Sequence, residues 1–219
     1  MRSLSTYKKL YRDFSDIEEG AYHTVVRFYE AKVKEIDRLD FSTYFEITLA
    51  YTTALFEIGA YQKHIEEVDK IIQLSIAHNI QFYKGEDVYF KSLFQKAASF
   101  YNTLAFDKAE YILKELIKMA PYHGLSIRFL RKCALRRQPT YIKTARAASI
   151  ACFLLAALLA AAEVIVIHPF IPNNALTFEY LRYAVFGGGV LILGLAFLYH
   201  RFSVHQTVYQ FVQSVRKKK

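Results

Sequence analysis

Residues 147–167 read AASIACFLLAALLAAAEVIVI, 21 residues with one charge, Glu163. As an α-helix this run spans about 31 Å, close to the thickness of a hydrocarbon core. A second run, Tyr183–Tyr199 (YAVFGGGVLILGLAFLY), carries no charge. It spans about 26 Å, and more when Phe178–Leu181 and Phe202 extend it. Two such helices, with almost no polar face, would leave a soluble fold without a polar surface. The expectation is a transmembrane hairpin with spans at about 147–167 and 181–199.

Residues 168–179 connect the spans, and HPFIPNN within them carries Pro169, Pro172 and the Asn173–Asn174 pair, all turn and breaker residues. A connection this short makes the spans antiparallel. Charge sets the orientation. Residues 1–124 hold 16 Lys and Arg against 18 Asp and Glu, whereas residues 125–219 hold 13 against 2. Arg128, Arg131, Lys132, Arg136, Arg137, Lys143 and Arg146 precede the first span, and Arg201 and Arg216–Lys219 follow the second. Only Arg182 lies at the other end. Lys and Arg close to a span stay cytoplasmic, so both termini are expected in the cytoplasm, with the cytoplasmic (inner) membrane of a bacterium as the expected location. The N-terminal stretch has no apolar run of signal-peptide length, so insertion is expected to depend on the internal segments.

Small residues suggest how the spans pack. Ala156/Ala160 and Ala157/Ala161 lie at i,i+4 on the first, and Gly187–Gly189 and Gly194 on the second. They allow close backbone approach, within the hairpin or between copies; the hairpin is the use expected. Glu163 lies about one turn from the outer end of its span, and Arg182 at the same depth on the other. A local ion pair is expected. A proton relay needs further polar partners across the bilayer, and the spans hold none. After the second span, Val204, Val208, Phe211, Val212 and Val215 form a helical stripe ending in RKKK. It reads as a basic amphipathic tail, residues 201–219, suited to an anionic membrane surface or to packing on the soluble part.

Tyr7 to Arg137 reads as successive amphipathic helices without strict alternation. Gly20-Ala21-Tyr22 and Gly59-Ala60-Tyr61 repeat, and Leu104-Ala105-Phe106 ends alike. Each stands between two helical patterns, as in an α-solenoid. The stretch Phe90 to Pro121 resembles a tetratricopeptide repeat. Ala97 matches the small residue of helix A, Phe106 the aromatic at the turn, and Ala109 the small residue of helix B. Leu113, Leu116 and Pro121 complete the unit. Phe45 to Ile76 keeps Gly59, Tyr61, Val68 and Ile71, with His64 where the family prefers Ala. The turns recur at 39 and 45 residues, against a family period of 34, which reads as longer helices. The fold class expected is all-α, a helical-hairpin solenoid over residues 1–140 fused to a two-helix transmembrane hairpin over 141–200. A helix starting near Tyr141 is expected to run on into the membrane.

The resemblance implies a concave groove made by the A helices. There it places Glu46, Leu49, Thr53, Phe56 and Glu57 from one unit, and Lys91, Phe94, Ala98, Tyr101 and Asn102 from the next. Aromatics with mixed charge suit a protein partner, while the Lys and Asn clamp for a C-terminal carboxylate is not reproduced. Phe56 and Phe94 fit equally as core residues.

Chemistry is not signalled. The chain has no Gly-rich phosphate loop, HExxH, CxxC or GxSxG. Cys133 and Cys152 are too few for a disulfide scaffold. His23, His64, His78, His123, His168, His200 and His205 show no ligand spacing, and are expected to pack or face solvent. Glu66, Glu67 and Asp69, beside Lys63 and Lys70, read as a solvated face. No enzyme activity, metal, cofactor or nucleic-acid partner is expected; the basic patch of Arg128, Arg131, Lys132, Arg136 and Arg137 is explained by the membrane. The function expected is a membrane-anchored scaffold or adaptor holding a protein partner. The alternative is a self-assembling membrane-active protein, an oligomeric effector or channel-like homo-oligomer with the solenoid as its sensing or oligomerising part. The hairpin has no polar stripe to line a pore.

Overall fold

The computed structural model describes residues 2–167 and 175–218. It falls into two units, Met1–Cys133 and Ala134–Lys219.

The first unit is built from α1 (Arg2–Ser15), α2 (Tyr22–Ile36), α3 (Phe41–Glu57), α4 (Tyr61–Ala77), α5 (Val88–Asn102), α6 (Phe106–Met119) and most of α7 (Gly124–Arg136). From α1 to α6 each helix packs chiefly on the next, the nearest-neighbour stacking of a helical-repeat solenoid. Leu10, Tyr29, Ile36, Ile47, Tyr51 and Leu55 form one core cluster, and Phe45, Ile71 and Val88 another. Asp40 and Asp87 cap α3 and α5, accepting from the N–H groups of Thr43 and Phe90 at 3.1 and 2.8 Å.

The repeated tripeptides are equivalent turns. Gly59 has φ +78° and Leu104 φ +62°. The next N–H reaches back in both, Ala60 to Leu55 O at 2.9 Å and Ala105 to Phe100 O at 2.8 Å. This is the left-handed helix stop that glycine normally supplies. The aromatic after each turn meets the ring before it, Tyr61 on Phe56 at 5.9 Å and Phe106 on Tyr101 at 5.4 Å, both at 67°. Leu104 is 74% exposed, so its side chain gains nothing for the strain that a Cβ brings in this region. Leu104→Gly is expected to stabilise the chain by about 0.5–1 kcal/mol, read as a rise in the guanidinium unfolding midpoint.

The unequal turn intervals have a cause other than longer helices. The two helices between Gly20 and Gly59 have 15 and 17 residues, and those between Gly59 and Leu104 have 17 and 15. The difference lies in the link from α4 to α5, which holds a hairpin of β1 (Phe82–Tyr83) and β2 (Glu86–Asp87). Its turn residues Lys84 and Gly85 both have positive φ, +51° and +82°, the geometry that matches strand twist. Two-residue strands are too short to show alternation in sequence.

The second unit contains α8 (Thr140–Ala162), a wider π-helical turn at Glu163–Ile167, and α9 (Ala175–Arg216). Pro139 at the N-cap biases Gln138 away from helix, which ends α7 and starts α8. From Thr140 the helix runs unbroken through the apolar stretch, as expected. α8 and α9 pack on each other. Both helices are long and apolar enough to cross a membrane, and only 17% and 6% of their apolar windows are buried. Leu154, Leu158, Leu191, Leu195 and Leu198 face outward.

The connection between α8, with its π-helical turn, and α9 is shorter than expected. Residues 175–179 belong to α9, while Pro169, Pro172 and Asn173–Asn174 lie outside the described residues. The tail is not a separate element either: Val204 to Val215 continues α9, with Val208 and Val212 buried. Of the small residues, Gly189 and Ala156 serve the hairpin. A Cβ at Gly189 would meet Phe153 and Cys152 of α8, whereas Gly187, Gly188 and Gly194 face open space and Ala157 and Ala161 are exposed.

Candidate functional site

The A-helix residues are mostly engaged. Glu46 accepts from Lys84 Nζ at 2.8 Å and from Tyr11 Oη at 3.0 Å. Burial pulls its pKa up, but the hydrogen bonds from Lys84, Tyr11 and Tyr83 outweigh that and hold the carboxyl below its ordinary value. Glu46 thus ties α1 and the β-turn to α3. Leu49 packs on the Phe45–Ile71–Val88 cluster. Phe56 is half-buried against Tyr61 and His64. Lys91 pairs with Glu86. Phe129 of α7 meets both Phe94 at 5.6 Å and Tyr101 at 5.4 Å, and Lys132 stands 5.0 Å over the Tyr101 ring. Thr53 is half-buried and Asn102 is exposed. These residues act mainly as joints between neighbouring elements.

An open cleft lies elsewhere, among α2, α3 and α4. It has a volume of about 350 Å³ and is lined by Tyr29, Glu30, Val33, Asp37, Tyr51, Lys63, Glu67 and Lys70. Tyr29 and Tyr51 stack at 3.9 Å and 5°. Lys63 donates to Glu30 Oε1 at 2.6 Å and Lys70 to Glu67 Oε2 at 2.6 Å. Burial pushes both phenols up, so they stay protonated at neutral pH. Hydrogen bonds to Glu30 and Glu67 raise the pKa of Lys63 and Lys70. Three carboxylates thus face two ammonium groups, and Asp37, exposed at the end of α2, has no ion-pair partner among the described residues. Residues 63, 67 and 70 read as solvated because their charges alternate locally. Lys63 in fact reaches α2, a contact 33 residues away. The signal in sequence was the opposed stripe on α2, residues 30, 33 and 37.

Two histidines are structural. His64 is fully buried, with Nδ1 2.9 Å from Ser99 Oγ and Nε2 without a hydrogen-bond partner among the described residues. Burial, helped by the Lys96 charge, drops its pKa to about 4. His200 is buried in the second unit, its Nε2 3.3 Å from Leu135 O and its Nδ1 2.8 Å from Tyr141 Oη. A carbonyl only accepts, so Nε2 carries the proton toward Leu135. Cys133 is buried, its thiol pushed up to about 11 by burial and by Glu110 and Asp107, which leaves it unreactive at neutral pH.

At the other end of the hairpin Arg182 Nη1 donates to Glu163 Oε2 at 2.6 Å, and Glu163 opens the π-helical turn. The described residues contain no group of three or more His, Cys, Asp or Glu able to hold a metal ion. Comparison with protein-family models, with curated proteins and with solved structures finds no match to this chain.

Proposed function

We propose that the chain is a membrane-anchored scaffold: α8 and α9 cross the inner membrane of a bacterium, both termini stay in the cytoplasm, and the degenerate, tetratricopeptide-like repeats hold a protein partner there. The observation that carries the anchor is the outward face of α8 and α9 over residues 147–165 and 183–199, apolar and left uncovered, which in water is an association liability. The basic flanks support the orientation. At 42 residues α9 is about 63 Å long, so its basic C-terminal part extends beyond a bilayer. The repeat reading is supported by the equivalent turns at Gly59 and Leu104 and by buried Ala97 and Ala109 at the helix crossings. No catalytic role is assigned.

The α2–α4 cleft is the better partner surface than the A-helix groove, whose Phe94 and Tyr101 are taken by α7 and whose Phe56 is taken by α4. Its unpaired Asp37 and exposed Val33, which line the cleft with Tyr29 and Tyr51, suit a segment presenting a cationic side chain beside an apolar one. Val33→Asp with Asp37→Lys changes only exposed positions. It is expected to lower partner recovery on the tagged full-length chain at least tenfold without shifting the unfolding midpoint. Unchanged recovery sinks the cleft assignment. For topology, protease added to the cytoplasmic side should remove the tail after His200, and cleavage from the outer side contradicts the orientation.

Self-assembly is favoured by one observation, the open space beside Gly187, Gly188 and Gly194, which a second copy could enter. Its mass in detergent separates the readings: a monomer or small dimer fits the scaffold, a ring of many copies the alternative.

A further inference from the structure

Two contacts fix the register of α8 against α9. Tyr141 bonds to His200, and Gly189 lies against Phe153 and Cys152. Both put Arg201 level with Thr140. Successive residues of an α-helix turn by about 100°, and antiparallel helices viewed from one end turn in opposite senses. Ser149 and Ala156 mark the inner face of α8, and Gly189 and His200 that of α9. From these, Lys143 and Arg146 fall on one side of the pair, and Arg201 falls on the same side. The same construction sends Tyr141 and Tyr199 to the opposite side, where their rings do meet at 5.8 Å. Arg146 Nη1 also donates to Gln138 Oε1 at 3.2 Å, which draws its guanidinium back toward the level of Arg201. Three exposed cations thus converge at one end of the hairpin.

Among the described residues of the second unit no carboxylate neutralises them. Its two carboxylates, Glu163 and Glu179, lie at the far end, and Glu163 is paired with Arg182. None of the three cations has an ion-pair partner among the described residues. On the same side stand Phe197, one turn beyond Arg201, and Ile150, one turn beyond Arg146, both exposed. Cations below an apolar wall match a phosphate headgroup below acyl chains.

We infer that Lys143, Arg146 and Arg201 form a binding site for the phosphate of an anionic phospholipid at the inner end of the hairpin. The inference rests on the reading that α8 and α9 cross a bilayer. Guanidinium groups grip phosphate oxygens through paired hydrogen bonds, and each cation near an anionic lipid surface contributes about a factor of five. A free phosphate shares the headgroup chemistry but has nothing to lay on Ile150 and Phe197.

The test is native mass spectrometry of the full chain in a non-ionic detergent, titrated separately with phosphatidylglycerol, phosphatidylcholine and inorganic phosphate. One phosphatidylglycerol is expected to be retained where phosphatidylcholine and inorganic phosphate are not. Lys143→Gln/Arg146→Gln/Arg201→Gln is expected to weaken it about 100-fold, and Lys217→Gln/Lys218→Gln to leave it unchanged. Arg201→Gln alone, expected to weaken it about fivefold, decides the matter should the triple variant fail to fold. Equal retention of the two lipids, equal loss in the tail variant, or equally tight inorganic phosphate overturns the site. Release of wild-type chain from membranes by alkaline carbonate overturns the membrane reading instead, whichever lipid is retained in detergent.

Discussion

At pH 4 the wild-type chain is expected to be about 3 kcal/mol less stable than at pH 7, and His64→Ala to remove most of that difference. His64 is fully buried, and its pKa falls from 6.5 to about 4 because burial disfavours the imidazolium. The sign follows from proton binding. Between these two values the unfolded chain holds a proton on His64 and the folded chain does not, so acid favours unfolding. The contribution is complete above pH 6.5 and is lost as pH falls through 4, at about 1.4 kcal/mol per pH unit. The lowered carboxyls of Glu46 and Asp40 act in the same direction, but only below the ordinary carboxylate range, so the window above pH 5 belongs to His64. Guanidinium unfolding in a non-ionic detergent, followed by circular dichroism from pH 7 to 4, measures it. A wild-type chain of constant stability from pH 6.5 to 5, or an equal slope in His64→Ala, refutes the assignment. The next repeat has Ala109 at the corresponding place, also fully buried, so alanine is compatible with the crossing. At neutral pH the variant still loses packing and the Ser99 bond, and the slope, rather than the absolute stability, is the diagnostic.

Gly189→Leu is expected to destabilise the hairpin by about 2–3 kcal/mol, while Gly187→Leu leaves it within about 0.5 kcal/mol of wild type. A Cβ at Gly189 would stand 2.9 Å from Phe153 Cε1 and 3.0 Å from Cys152 Cβ. The phenyl ring can swing away, but a Cβ moves only with its backbone, so α8 and α9 must separate. In lipid, where hydrocarbon surrounds the helices on all sides, packing and interhelical bonds are what hold them together. Separation would also stretch the Tyr141–His200 bond and the Glu163–Arg182 pair at the two ends. Thermal unfolding of full-length variants in detergent reads the difference, and equal effects at 187 and 189 would contradict the observed register. The pair of variants also separates the two functions. Should wild type form large assemblies and Gly187→Leu fall to a monomer of normal stability, the open glycine face is a contact between copies, and self-assembly replaces the scaffold reading.

Some features are legible in one dimension because one dimension carries their cause. A 21-residue apolar run needs a bilayer or a core whatever its neighbours are. Gly-Ala-Tyr stops a helix through the backbone freedom of Gly59 and the ring that follows. The pairing of Glu163 with Arg182 followed from depth alone, since two oppositely charged groups at one level of a hairpin have few other partners. The all-α class and the repeated hairpins therefore come from the sequence itself. The hairpin of Phe82–Asp87 did not, because two-residue strands carry no period. Its insertion explains the interval of 45 that had suggested longer helices.

What only the tertiary structure decided is which charges and rings meet. Glu46 was a groove candidate until the fold brought Lys84 and Tyr11 to it. Phe56 and Phe94 were equally groove or core until the fold laid Tyr61 and His64 on the first and Phe129 on the second. Lys63 and Glu30, one repeat apart, frame a cleft that local charge alternation had concealed. Lys143, Arg146 and Arg201 marked only an orientation until the register of α8 on α9 placed them on one side. The physical reason is common to all four. Periodicity fixes the direction of a side chain relative to its own helix, but contact depends on the packing phase between helices, and that is set by close approaches such as Gly189 on Cys152.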